Sequence, residues 1–387
     1  MTESCGRSAD APAPLAWPSG LCAAPYADGA EPELPRLLAG LLDPSRTTPG
    51  RDVVVLLDGV GAELLADHLS LAPTLRALRD RTRAIRTVAP TTTATAMTSL
   101  TTGAAPLQHG TLGYTVIDPD RSAPLQQLTG DAAVDPRRWM PLEGLAAASP
   151  RRCVHVGPAK HAASFLTRAA YSGWEFTGHR RRDERVDAVR LAVRRAGSDG
   201  LVLVHVDDVD HAGHRHGTDS VPWRDALAEA DAMIAALLRR LPGGTRLRIT
   251  ADHGMVDTAP TRTIDLAQHP EISRELAIVA GESRCLMLRT RPEADPGAVA
   301  DRVRAVVEDH ALVLEREQIL ASGLLGPVGC EIPERVAGRI PDLAVLARGR
   351  WIITDTAHRP PQAHPEVGVH GSLTRREALV PLIDTII

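Results

Sequence analysis

The sequence predicts an α/β fold in three layers, α/β/α, with a mostly parallel central sheet and a smaller cap subdomain inserted late in the chain. Three observations carry this. Short apolar, β-rich runs alternate with stretches of helical periodicity, the pattern of βαβ crossovers. The runs are apolar almost throughout instead of alternating, as in strands covered on both faces. Three of them, "VVVLLD", "LVLVHVDDVD" and "LRITAD", end in aspartate, placing carboxylates where open α/β sheets gather ligands.

The elements follow in order. Residues 1–49 are Pro- and Ala-rich and read as an irregular lead-in with one short helix near "PELPRLLAGLL"; residues 50–387 read as the main domain. "DVVVLLDG" (52–59) is a buried strand stopped by Asp-Gly, followed by a helix over about 61–80 and a strand "RAIRTVAP" (83–90) closed by proline. Further strands are predicted at 152–157, 201–206 and 246–252, with helices at about 183–196 and 223–240. A segment at about 258–340, including "RCLMLR" (284–289) and a helical stretch over 295–310, reads as the cap insertion.

Composition narrows the function classes. The chain has 387 residues and a formal net charge of −4, which gives no broad basic surface for stable nucleic-acid binding. Cys5, Cys22, Cys153, Cys285 and Cys330 are scattered and lack CxxC spacing, arguing for a reduced cytoplasmic protein rather than a disulfide scaffold. Neither a signal peptide nor a membrane span is expected. Lys160 is the sole lysine among 44 basic residues. It follows a predicted strand, so its compact charge is expected at the ligand edge.

The densest chemistry lies in "HVDDVDHAGHRHG", residues 205–217. If a helical turn includes Asp210 and His214, their i, i+4 spacing puts them on one face, within reach of one ion. Asp252 and His253 share an ion only if the backbone turns sharply, and Gly254 permits this. His370, between Gly368 and Gly371 in sequence, offers another imidazole. Mixed Asp and His ligation without thiolates suits Zn2+, with Mn2+ or Fe as alternatives. The Thr-rich stretch "APTTTATAMTSLTTGAAPLQHG" (89–110) reads as a helix entered after Pro90 and ended by Gly103. A hydroxyl at such an N-terminus lies where a phosphate binds readily.

Together these motifs resemble the alkaline phosphatase superfamily, and within it the nucleotide pyrophosphatase/phosphodiesterase (type I phosphodiesterase) family. The resemblance covers residues 50–375, on "VVVLLDGVG", "PTTTATAMTSLTTGAAPLQHG", Asp210 with His214, "DHGM" at Asp252 and His253, and the late His370-Gly371. It implies a two-metal phosphohydrolase cleaving phosphodiester or phosphoanhydride bonds, with Thr93 as nucleophile and a covalent phosphothreonine intermediate. One ion falls to Asp210, His214 and His370; the other falls to Asp58, Asp252, His253 and the Thr93 oxygen. The implied partner is a small phosphate ester, such as a nucleotide. Family phosphodiesterases usually carry asparagine three residues after the nucleophile; this chain has Ala96. That departure keeps a phosphomonoesterase or phosphonate hydrolase as the alternative, followed by a metal-bound binding protein without turnover. Lys160 and Trp139 are candidate substrate contacts.

Overall fold

The computed structural model describes residues 16–45, 50–359 and 366–387, so part of the expected lead-in, 1–15 and 46–49, lies outside the described residues. The expected first helix is α1 (Glu33–Leu42), which buries Leu34, Leu38, Leu41 and Leu42 along one stripe. In chain order there follow β1 (Asp52–Leu57), β2 (Thr82–Arg86), α2 (Thr93–Thr102), β3 (Cys153–Pro158), β4 (Trp174–His179) and α3 (Arg185–Ala196). Then come β5 (Leu201–Val206), α4 (Asp208–His216), α5 (Val221–Arg240), β6 (Arg246–Thr250), β7 (Leu276–Glu282) and β8 (Cys285–Thr290). The last major elements are α6 (Pro296–Val307), β9 (Ala311–Glu315), β10 (Leu343–Ala347) and β11 (Leu379–Ile386). No helix among the described residues is long and apolar enough to cross a membrane.

Seven strands form the central sheet in the order β2-β11-β6-β1-β5-β3-β4. β1 pairs in parallel with β5 and β6, and β3 pairs in parallel with β5 and β4. β11 alone runs antiparallel, against β6 and β2. Every residue of β1 is buried, so both faces are covered, each fully buried Val or Leu contributing on the order of 1.5–3 kcal/mol. The one polar residue in β1, Asp52, starts the strand and is held by Arg151 (2.8 Å), Arg246 (3.1 Å) and Arg248 (2.9 Å). A buried carboxylate persists there because guanidinium groups replace its water.

A single helix over 61–80 does not form. The segment contains two short helices, Ala62–Asp67 and Pro73–Ala77, with a 3-10 turn at Arg79–Arg81. Pro73 disfavours the helical conformation of Ala72 before it, and Ala72 sits at φ −125°, ψ 71°.

A second, four-stranded antiparallel sheet has the order β7-β8-β10-β9. Its residues alternate between two cores with the period of a strand. Ile278, Ala280, Met287, Ala344 and Leu346 pack with Leu107, Ile117 and Leu125. Val279, Leu286, Leu288 and Val345 pack instead with Val299 and Val303 of α6. This sheet lies between His253 and His370 in sequence, and its strand β10 lies beyond residue 340.

Candidate metal centre

β1 lies between β5 and β6, with Leu56 opposite His205 on one side and Thr250 on the other. The carboxyl ends of the three strands therefore open on one edge. Asp58 follows β1 directly, and Asp252 stands just after β6. α4 begins at Asp208 and carries Asp210 and His214 one turn apart. His370 follows the short strand Gly368–Val369, which pairs with Val256–Asp257 and so returns the chain beside the Asp252 loop.

Two glycines make room for this convergence. Gly59 has φ +74°, and a Cβ there would lie 2.9 Å from Asp210 Oδ1. The sharp turn expected at Gly254 is a matter of space rather than of a left-handed φ. A Cβ on Gly254 would stand 1.8 Å from the Arg376 carbonyl oxygen and 2.8 Å from Gly61 Cα.

Around Thr93 the polar atoms are close. Its Oγ1 lies 3.4 Å from Asp58 Oδ1 and 3.1 Å from His253 Nε2. His253 Nε2 is in turn 3.5 Å from both Asp58 Oδ1 and Asp252 Oδ2. Beside this group, His214 Nε2 is 3.3 Å from Asp210 Oδ2, and His370 Nε2 is 3.2 Å from His214 Nε2 and 3.9 Å from Asp210 Oδ1. The His253 and His370 rings stack at 3.7 Å, joining the two groups. Ligand atoms of Asp58, Asp252 and His253 lie within 4.8 Å of one another, as do those of Asp210, His253 and His370.

The donor set fits divalent cations. Each histidine has Nδ1 against a backbone carbonyl: His214 on Gly368 (2.8 Å), His253 on Gly254 (3.0 Å) and His370 on Thr91 (2.8 Å). Nδ1–H donation to those carbonyls leaves the three Nε2 lone pairs directed into the cluster, the tautomer that ligates metal. Asp210 Oδ1 and Asp252 Oδ2 are buried with no hydrogen-bond partner among the described residues. Unpartnered buried carboxylate oxygens are costly unless a cation receives them.

The electrostatics point the same way. Burial, then the charges of Asp252 and Asp210, push the Asp58 carboxyl well above its usual range. Burial opposes protonation of His214, but the Asp210 carboxylate outweighs it and lifts the imidazole to about 10. Reciprocally, and again against burial, His214 holds Asp210 well below the carboxylate range. Against burial, Asp252 and Asp58 raise His253, whereas burial and the neighbouring His253 and His214 lower His370. Three carboxylates in one buried cluster create a strongly negative potential, which bound cations neutralise.

Thr93 occupies the first position of α2, with Thr92 as N-cap, and Gly103 ends the helix at φ +68°. The first-turn N–H groups of an α-helix have no intrahelical partner and carry partial positive charge. Ala96 is fully buried and packs in the main core. The centre opens into a cavity of about 890 Å³, lined by Thr93, Asp210, His214 and His370 together with apolar residues such as Leu128 and Leu166.

Other polar residues of the 205–217 segment take definite partners. His205 Nε2 lies 2.8 Å from Asp58 Oδ2, a contact that spacing alone does not reveal but the parallel register of β1 and β5 does. Asp208 pairs with Arg182 and Arg185, both at 2.6 Å. Asp207 faces His161 at 3.5 Å and Lys160 at 3.9 Å. Lys160 follows β3 in a 3-10 turn, Ala159–His161, and is exposed, while its neighbour His161 lines the cavity. His216 is exposed.

Trp139 is placed elsewhere. It is buried, its Nε1 donates to Gln127 Oε1 at 2.9 Å, and the Arg339 guanidinium stacks 3.5 Å above its ring. With its edge and face both occupied, it packs with Leu107 and Phe165 as a core residue and is not among the residues lining the cavity. Trp174 borders a separate cavity of about 650 Å³.

The comparisons with known proteins agree with this architecture. The structure of murine ectonucleotide pyrophosphatase/phosphodiesterase 5 is similar with a TM-score of 0.65 and 16% identity, over 86% of this chain and 87% of that one. An inactive variant of that protein has been solved in complex with AMP. Phosphonoacetate hydrolase from Sinorhizobium meliloti 1021, in complex with phosphonoformate, is similar with a TM-score of 0.67 and 17% identity, over 87% and 90% of the two chains. Among curated sequences, phosphopentomutase from Deinococcus radiodurans is 36% identical over 86 residues, which span 22% of this chain and 22% of that protein. The model of the type I phosphodiesterase / nucleotide pyrophosphatase family matches residues 53–373. That match takes in the loops after β1, β5 and β6 as well as His370, and by it the chain belongs to the type I phosphodiesterase / nucleotide pyrophosphatase family.

Proposed function

We propose that this protein is a two-metal phosphohydrolase that cleaves phosphodiester or phosphoanhydride bonds through a covalent phosphothreonine at Thr93. Membership of the family supports phosphoester hydrolysis. The observation that carries the finer reading is the placement of Thr93 Oγ1, 3.4 Å from Asp58 and 3.1 Å from His253, at the N-terminus of α2.

In this reading Asp58, Asp252, His253 and the Thr93 oxygen hold one cation, and Asp210, His214 and His370 hold the other. The short approaches of His253 Nε2 to Asp58 and Asp252 support its place on the side of Thr93. Zn2+ suits these nitrogen and oxygen donors, and Mn2+ or Fe is compatible with them. Bound there, two divalent ions would supply positive charge for an in-line displacement and would ease deprotonation of the Thr93 hydroxyl. Thr93 Oγ1 forms a new O–P bond as the ester or anhydride O–P bond breaks, its proton passing to solvent and the departing oxygen leaving as an alcohol or a phosphate. Hydrolysis of the phosphothreonine restores the hydroxyl. His205 acts as a positioning residue, fixing Asp58 Oδ2 through its 2.8 Å contact.

The α2 N-terminus, with its partial positive charge, accepts the phosphoryl group. Ala96 supplies no polar contact to it, so the helix terminus and the cations carry its recognition. The organic part of the substrate occupies the cavity, whose size of about 890 Å³ suits a nucleotide-sized ester. Glu282 and Ser283, at the end of β7 and the turn after it, line the same cavity, which supports the inserted segment acting as a cap. The test compares hydrolysis of p-nitrophenyl phosphate, bis-p-nitrophenyl phosphate and a nucleotide ester, with metal content measured on the same sample. Preference for the diester or nucleotide is expected; preference for the monoester would favour a phosphomonoesterase instead.

A further inference from the structure

The cavity has a second polar region, built by Arg359, Tyr114 and Glu282, which line it together with the metal-ligand candidates. Arg359 makes no ion pair or side-chain hydrogen bond with any described residue. Glu282, Tyr114 and Glu366 are its charged or polar neighbours, and burial lowers its pKa from the ordinary arginine value. Arg359 is half-buried and lines the cavity, so its guanidinium donors are open to an acceptor that enters it.

Tyr114 and Glu282 also have unused hydrogen-bonding capacity. The Tyr114 hydroxyl accepts from Gln126 Nε2 at 2.6 Å, which leaves its own O–H free to donate. Glu282 Oε2 accepts the Tyr114 backbone N–H at 2.9 Å, while Glu282 Oε1 is buried with no partner among the described residues. Burial pushes the Glu282 carboxyl up to about 8, so near neutrality its acid form is a donor as well. The packing of Glu282 against Gly371 is tight: a Cβ on that glycine, at φ +133°, would lie 2.5 Å from Glu282 Cγ. The region is therefore held beside the loop that carries His370.

We propose that Arg359, Tyr114 and Glu282 form a subsite for an anionic group, a carboxylate or a phosphate, carried on the part of the substrate remote from the phosphorus attacked by Thr93. The proposal rests on the phosphohydrolase reading above, which brings the substrate's phosphorus to Thr93. Arg359 supplies the paired N–H fork that matches either anion. Tyr114 and the acid form of Glu282 add single hydrogen bonds. The subsite distinguishes substrates by their far end rather than by the bond that is cleaved.

The test uses the metal-loaded protein and titration calorimetry with three ligands: n-butylphosphonate, the same chain ending in a carboxylate, and the same chain ending in a second phosphonate. At least one anionic tail is expected to tighten binding roughly tenfold to a hundredfold over the butyl ligand, the gain of a charge-assisted contact. The tail that does so identifies the anion. Arg359→Gln should abolish that gain and leave butylphosphonate binding unchanged; Tyr114→Phe should reduce it by a smaller factor. Equal affinity for all three ligands, or a preference that survives in Arg359→Gln, would overturn the subsite while leaving the phosphohydrolase reading intact. Failure of every phosphonate to bind would overturn both.

Discussion

Arg284 and Glu377 form a bidentate ion pair, at 3.0 and 2.6 Å, in which both side chains are fully buried. The pair joins the turn between β7 and β8 to the segment just after His370. Glu377 also accepts the Ser372 N–H at 3.0 Å and the Thr374 hydroxyl at 2.6 Å. One carboxylate thus ties the second sheet to the loop that presents a candidate metal ligand.

Glu377→Gln removes that charge and strands the guanidinium. Breaking a buried pair on one side costs roughly 3–5 kcal/mol. Urea unfolding should show a loss of this order, with reduced metal occupancy because the loop of His370 loosens. An unchanged unfolding midpoint would show that the pair contributes no net stability.

Gly59→Ala strikes the centre directly. The substitution forces a side chain into φ +74°, 2.9 Å from Asp210 Oδ1. Left-handed backbone alone costs about 1–2 kcal/mol, and displacement of Asp210 should lower metal content and hydrolysis together. Full metal loading in this variant would contradict the assignment of Asp210 as a ligand.

Stability should fall on acidification because of His109, buried between α2 and the second core. Burial, reinforced by Arg339, pushes its pKa down from 6.5 to about 3. Its Nδ1 accepts the Thr111 N–H at 3.1 Å, leaving Nε2–H to donate to Ser99 at 2.7 Å. The unfolded chain therefore binds more protons between those two pKa values. His109 favours the folded state fully above pH 6.5 and progressively less as pH falls through the window. Moving from neutral pH to about pH 5 should cost on the order of 2 kcal/mol. Denaturant unfolding at the two pH values measures this, and His109→Gln should flatten the dependence.

Lys160, exposed beside cavity-lining His161, should assist the entry of anionic substrates. Lys160→Ala is expected to raise KM for a nucleotide ester several-fold without loss of metal, and unchanged steady-state kinetics would remove the residue from the site. The contribution is modest because an exposed charge interacts through water, about 0–1 kcal/mol.

The central strands were legible because β1, β5 and β6 must be apolar on both faces, and the ligands were legible because they follow those runs. β4, "WEFTGH", lies at the sheet edge with mixed burial and carries no continuous apolar signal. β11 contains Pro381, which argues against an interior strand. Pro381 is tolerated because β11 pairs at that position only with Ala84 of β2, while its ladder with β6 begins at Leu382. Trp139 went to the core because its indole N–H found Gln127 there. The contact between His205 and Asp58 requires the register of two strands. Tyr114, Glu282 and Arg359 lie far apart in sequence, and no motif spacing relates them; the folded cavity brings them together.

The most direct test of the central claim is the hydrolysis of bis-p-nitrophenyl phosphate by the parent and by Thr93→Ala, with metal content determined on both samples. The parent should hold two divalent ions per chain and turn over. Thr93→Ala should retain metal on the ligands of Asp58, Asp252, Asp210 and the three histidines, yet lose activity by on the order of a thousandfold or more. Turnover at the parental rate in Thr93→Ala would contradict the account.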